Sequence, residues 1–208
     1  MIVTSAEPAP VPGARSFALT FDDGPNPPDT ERLLDVLAEF GVTAVFCLMG
    51  EAVRAHPEVA AHVVAAGHLV GNHTMQHDDL GEWSADRVRA ELLRTTEIIE
   101  DATGASVPYF RAPYGRWGAS ARIATELGMT PLGWQVEVGD WLAPPSHELV
   151  ARIRSGLEPG GVVLLHDGGG DRSGTVAAVR TLLSGLLADG WHATLPLRSA
   201  PATNGAAR

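Results

Sequence analysis

Two acidic residues, Asp22 and Asp23, stand side by side in the stretch LTFDDGPNPP, after an apolar run and before a Gly-Pro turn. On an extended strand neighbouring side chains point to opposite faces, so adjacent carboxylates there have different tasks, or one has none. Further along, GNHTMQH sets His73 and His77 four residues apart. On a helical turn that spacing brings both imidazoles to one side, as a metal site requires. Two histidines alone are weak evidence. A carboxylate from a distant element, Asp22 or Asp23, completes a set of two histidines and one acid, with a coordination position left open for water.

Three more polar residues follow apolar runs. Arg111 stands in VPYFRAPYG, Asp140 in VGDWL, and His166 directly after GVVLL, where a buried run surfaces. The glycines of the next stretch, DGGGD, are followed by no lysine and open no P-loop, so they read as a place where backbone approaches a ligand. The other histidines have plainer readings. His56, His62, His147 and His192 fall at polar positions and are expected to be solvated, and His68 to pack within a strand. The single cysteine, Cys47, lies in VTAVFCLMG and reads as a small buried hydrophobe.

The elements that must carry these residues alternate. SFALTFD reads as a buried strand, followed by a helix from about Thr30 with Leu33, Leu37 and Phe40 on one face and Gly41 as its stop. VTAVFCL is a second strand, Pro57 opens a helix with Val59, Val63 and Ala66 on one face, and HLVGNH is a third strand. Ser84 caps a long helix carrying Val88, Leu92, Thr95 and Ile99. VPYFRAPYG reads as a strand and a functional loop. Helices near 119–127 and 147–156 lead to the strands MTPLGWQVE and GVVLLHDGGG, and a helix marked by Val176, Val179, Leu183 and Leu186 leads to WHATLPL. About seven strands alternating with helices predict a parallel, barrel-like α/β fold, in which working residues gather at the carboxyl ends of the strands. Residues 1–14 and 199–208 are expected to be flexible ends of one catalytic domain spanning 15–198.

Composition narrows the partners. The 208 residues carry a formal charge of -10, and every one of the 15 basic residues is arginine. No basic run offers itself to a nucleic acid, and the absence of lysine removes Schiff-base and P-loop chemistry. A neutral or cationic substrate fits better. No signal peptide or membrane-spanning stretch is visible, so the chain reads as a cytoplasmic monomer, or as extracellular if cut from a secreted precursor.

TFDDGP, HTMQH, RAPYG, GDW and LLH, in this order, resemble the five motifs of the polysaccharide deacetylase family, the NodB-homology domain of carbohydrate esterase family four. The likeness runs from about Phe17 to Pro196. It implies a distorted (β/α) barrel and a metal-dependent hydrolase that removes acetyl groups from N-acetylated sugars. By resemblance, Asp22 is the catalytic base, and Asp23, His73 and His77 are ligands of a divalent ion, zinc first, with cobalt or nickel as alternatives. Arg111 would position Asp22, the Tyr114 N–H would bind the oxyanion, and His166, oriented by Asp140, would be the general acid. Pro113, Tyr114, Trp141 and Leu164 would line the substrate site. Among Trp83, Trp117, Trp134 and Trp191, which as a class read as core or loop anchors, Trp117 is the best candidate for a sugar platform. Glu137 stands where the fourth motif commonly has aspartate, which leaves its groove contacts open. Cys47 and Met49 depart from the usual aromatics and aliphatics of the second strand, as in a repacked core.

The expected substrate is N-acetylglucosamine in chitooligosaccharides or peptidoglycan. Acetylxylan and a small intracellular N-acyl compound are alternatives on the same site. Two other classes compete: a non-catalytic glycan-binding module, and a non-haem iron oxygenase using His77, Asp79 and His166. The latter usually sits on an antiparallel jelly roll, against the strand-helix alternation here.

Overall fold

A computed structural model describes residues 1–198. In chain order it contains β1 (Arg15–Asp22), α1 (Asp29–Phe40), β2 (Val45–Leu48), α2 (Gly50–Ala55), α3 (Pro57–Ala65), β3 (Leu69–Asn72), α4 (Ala85–Thr103) and β4 (Tyr109–Phe110). There follow α5 (Ser120–Glu126), β5 (Thr130–Pro131), β6 (Val136–Glu137), α6 (Ser146–Gly156), β7 (Gly161–His166), α7 (Ser173–Ala188) and β8 (Trp191–Ala193). The helix ends follow local chemistry. Gly41 takes a left-handed φ of 63° and ends α1, while the Ser84 hydroxyl accepts from the Arg87 N–H at 3.4 Å to cap α4. On α4, Val88, Leu92, Thr95 and Ile99 are buried, as their spacing predicts.

All strand pairings are parallel, in the order β5-β4-β3-β2-β1-β7-β6, with β8 beside the start of β1. This is a half-barrel of seven parallel strands with helices outside it. Among the described residues no ladder joins β5 to β6, so the sheet stays open there. Phe17, Leu19 and Phe21 of β1 join the large core under the helices, whereas Ala18 joins a smaller inner cluster with Val45, Cys47, Tyr109, Leu132 and Val162. Both faces of β1 are therefore apolar, as a central parallel strand requires.

Register levels the strand ends. Asp22 pairs with His166 on one side and Cys47 on the other, and Asn72 pairs with both Leu48 and Phe110. The residues at or just beyond these ends, Asp22, His73, Arg111 and His166, thus share one rim.

Three expectations need correction, and one helix is not foreseen. Residues 3–7 are no free end: Val3 donates to the Pro131 carbonyl at 2.8 Å and accepts from the Gly133 N–H at 2.7 Å, and Ala6 donates to Gly160 at 2.7 Å. This segment lies along the open side of the sheet, where unpaired backbone groups need partners. MTPLGWQVE is two strands, β5 and β6, because the carbonyls of Leu132 and Gly133 turn away to hold a side chain at the rim. Ala66 is an exposed cap, and the buried face of α3 is Val59, Ala60 and Val63. The short helix α2 escapes periodicity because only Gly50 and Val53 of it are buried. The predicted tail, 199–208, lies outside the described residues. No helix among the described residues is long and apolar enough to cross a membrane.

Candidate active site

Strand alternation puts Asp22 on the inner face with Ala18 and Thr20. Asp23 escapes that alternation because it has left the strand, with a left-handed φ of 73°. Both carboxylates therefore reach one cleft. Asp22 Oδ1 accepts from Arg111 Nη1 at 2.7 Å, and both side chains are buried. The guanidinium is held further by the carbonyls of Leu132 and Gly133, each at 3.0 Å. A buried cation so fully engaged cannot swing away, which fixes the direction of Asp22.

Asp23 Oδ1 lies 3.4 Å from His73 Nε2 and 3.6 Å from His77 Nε2. The three ligand atoms lie within 4.8 Å of one another. His73 Nδ1 donates to the Arg111 carbonyl at 2.8 Å, which leaves the Nε2 lone pair directed at Asp23. Asp23 Oδ1 is buried and has no hydrogen-bond partner. A buried carboxylate oxygen without a partner, facing two imidazole nitrogens, fits a divalent ion of the kind that zinc, cobalt or nickel provides. The histidines converge through a turn rather than a helix, with left-handed φ at Thr74 (64°) and His77 (60°). Burial would raise the Asp23 carboxyl, but the neighbouring imidazoles, His73 before His77, outweigh it and bring it down to about 2. Burial would lower His73, yet Asp22 and Asp23 hold it above the ordinary imidazole range; burial and the neighbouring His73 push His77 below it.

Across the cleft, His166 Nδ1 and Asp140 Oδ1 are 2.8 Å apart, and Asp140 Oδ2 accepts from the His166 N–H at 2.9 Å and the Thr175 hydroxyl at 3.0 Å. Asp140 thus holds both the backbone and the ring of His166, and among the described residues no hydrogen bond engages its Nε2. Burial would depress this imidazole, but the bond to Asp140 and the charge of Asp22 raise it above its usual range. The Trp141 ring stands edge-on to it at 5.3 Å.

The cleft above these groups measures about 560 Å³. Tyr114, Trp141 and Leu164 line it, as expected by resemblance. Tyr114 has φ 59°, and among the described residues no hydrogen bond engages its N–H. Pro113 is buried and is not among the residues that line the cleft. Trp117 does not line the cleft: it is half-buried and packs edge-on against Phe110 at 5.9 Å, against the core. Trp134 lines the cleft instead, 5.8 Å from the Arg111 guanidinium, together with Glu137 and Arg172. Trp134 lies between β5 and β6, in a break that the apolar pattern of MTPLGWQVE does not reveal. Asp79 lies in an ion pair with Arg116 at 3.0 Å, which together with the parallel sheet disposes of the oxygenase set.

The DGGGD stretch lines the cleft at Gly169 and packs against protein at Gly168. A Cβ on Gly168 would lie 2.1 Å from the Asp23 carbonyl oxygen. Asp167, which sequence reasoning passed over, is buried beside it, accepts from the Thr30 hydroxyl at 2.6 Å, and is pushed by burial up to about 7. His68 packs as expected, its Nδ1 accepting from the Ala44 N–H at 3.2 Å, and burial brings it down to about 4.

The profile of the polysaccharide deacetylase family matches residues 10–132. A chitooligosaccharide deacetylase of Bradyrhizobium is 40% identical to this chain over 82% of it and 80% of that protein. A peptidoglycan-N-acetylglucosamine deacetylase of Bacillus cereus is 34% identical over 85% of this chain and 84% of that protein. Among solved structures, a pseudoenzyme of carbohydrate esterase family four from Bacillus anthracis superposes with a TM-score of 0.82 at 29% identity, over 89% of this chain and 65% of the other. Likeness to a pseudoenzyme leaves catalysis to be judged from the residues that fill the site.

Proposed function

The chain belongs to the polysaccharide deacetylase family and is a deacetylase, and from that premise we propose a metal-dependent hydrolase that removes the acetyl group from N-acetylglucosamine units of chitooligosaccharides. Asp23, His73 and His77 hold the divalent ion, with zinc as the expected metal. When bound, the ion supplies Lewis-acid activation of water and of the acyl oxygen. Asp22 is the base: its Oδ1 is tied to Arg111, so Oδ2 takes the proton from the attacking water. The Tyr114 N–H, which no hydrogen bond engages among the described residues, donates to the oxyanion that develops on the acetyl carbonyl. One such donor is worth about 10²–10³ in turnover.

An amine does not leave as an anion. His166 gives its Nε2 proton to the nitrogen as the C–N bond breaks, and its raised pKa keeps that proton available near neutral pH. Acetate and a free amine result. Trp141, Leu164 and Trp134 offer apolar surface to the sugar ring and methyl group, while Glu137 offers an acceptor for hydroxyls.

The observation that carries this reading is the convergence on one cleft of the unpartnered Asp23 oxygen between two imidazoles, the Arg111-bound Asp22, and the Asp140-bound His166. It favours catalysis over a glycan-binding module, which needs no base and no acid. The test is to strip the metal, restore zinc or cobalt, and measure acetate release from chitooligosaccharides, peptidoglycan fragments, acetylxylan and small N-acetyl amines. Release from chitooligosaccharides that returns with the metal is expected. Absence of metal-dependent release from all four refutes the proposal.

A further inference from the structure

Asp23 is aimed by something other than its own side chain. Its Oδ1 makes no hydrogen bond, and its backbone sits in the left-handed region, which costs a residue with a Cβ about 1–2 kcal/mol. Such a conformation persists only where its surroundings enforce it. What presses on it is the loop after β7. The N–H groups of Asp167 and Gly168 both donate to the Asp22 carbonyl at 3.1 Å, and Gly168 lies so close to the Asp23 carbonyl that no Cβ fits between them.

That loop is itself fastened. Arg172, buried despite its charge, donates through Nε to the Gly168 carbonyl at 2.6 Å and through Nη2 to the Gly169 carbonyl at 3.0 Å. Its backbone N–H donates to Asp29 Oδ2 at 2.8 Å, and Asp29, also buried, stands in the first turn of α1, a few residues after Asp23. Asn26 adds bonds from its amide to the carbonyls of Asp167 (3.2 Å) and Gly170 (2.8 Å). The loops after β1 and β7 thus form one clasp closed by two buried charged side chains.

We propose that Arg172 and Asp29 are positioning residues for the metal site: they close the clasp that holds Asp23 in the left-handed conformation from which it faces His73 and His77. The inference rests on the metal-centre reading above. It predicts that loss of either residue weakens metal binding in a folded protein, although neither touches the ion. Outer residues of this kind typically change metal affinity about 10–100-fold.

The test uses the metal-stripped full chain, titrated with cobalt(II) and followed by its visible absorption, with thermal melts as the check on folding. Arg172→Ala and Asp29→Ala should each weaken cobalt binding by about 10–100-fold. Asp29→Asn, which keeps an acceptor for the Arg172 N–H, should bind as wild type does, and Arg180→Ala, on the exposed face of α7, should do the same. If an alanine variant fails to fold, Arg172→Lys, which lacks the forked donor pair, replaces it and should also bind more weakly. Folded Asp29→Ala and Arg172→Ala (or Arg172→Lys) proteins that bind cobalt with wild-type affinity and spectrum overturn the inference. A wild-type chain that binds no cobalt overturns the metal-centre reading instead.

Discussion

Replacing Asp22 with asparagine should separate catalysis from metal binding. The substitution keeps an oxygen for Arg111 Nη1, now 2.7 Å from Asp22 Oδ1, but removes the charge facing a buried guanidinium. Removing one partner of a buried ion pair costs about 3–5 kcal/mol, and the retained acceptor places this case near the lower end. For a chain of this size about 3 kcal/mol corresponds to a fall in Tm of roughly 6–12 °C. The loss of a general base costs about 10²–10⁴ in kcat, a barrier increase of about 2.7–5.4 kcal/mol. Metal content should not change, because Asp23, His73 and His77 remain. Asp23→Asn should do the opposite on that measure, losing the metal as well as the activity. Elemental analysis after dialysis, acetate release and thermal melts on both purified variants decide the matter. An Asp22→Asn protein that loses as much metal as Asp23→Asn, or that retains turnover within about threefold of wild type, refutes the division of labour.

His166→Ala should spare metal binding and slow amide cleavage by about 10²–10⁴, while slowing an activated ester, whose leaving group needs no proton, far less; equal slowing of both substrates argues against the acid role. Val3→Pro removes the donor to Pro131 and should lower Tm, and should lower kcat too because the adjoining Leu132 and Gly133 carbonyls hold Arg111. Val3→Ala, which keeps the backbone bonds, is the comparison, and identical melts for the two variants would count against a structural role of the segment. Burial raises Asp167 from 3.8 to about 7, so within that window the folded chain keeps a proton that the unfolded chain gives up. Stability of the metal-free protein should therefore fall as pH rises from about 4 to about 7, and Asp167→Asn should flatten that slope in thermal melts. An unchanged slope would show that another group carries it.

The chemistry of this protein is written locally, and so is much of its frame. Apolar runs mark β1 and β7, the spacing of Val88, Leu92, Thr95 and Ile99 marks α4, and Gly41 and Ser84 mark helix ends, because each rests on contacts within a few residues. Asp22, Asp23, His73, His77, Arg111, Asp140 and His166 are legible for the same reason: they end apolar runs, and their motifs are short. Periodicity does not reach across the fold. That Asp23 leaves the strand with positive φ depends on Gly168, and the Arg172 bond to Asp29 joins residues 143 apart. Trp134 rather than Trp117 faces the cleft because the Leu132 and Gly133 carbonyls bend the chain toward Arg111, and residues 3–7 are ordered because an open sheet side needs hydrogen-bond partners. Residue types and their local order thus specify which groups are available. The direction each group faces is set by long-range backbone bonds and close packing, which no local stretch contains.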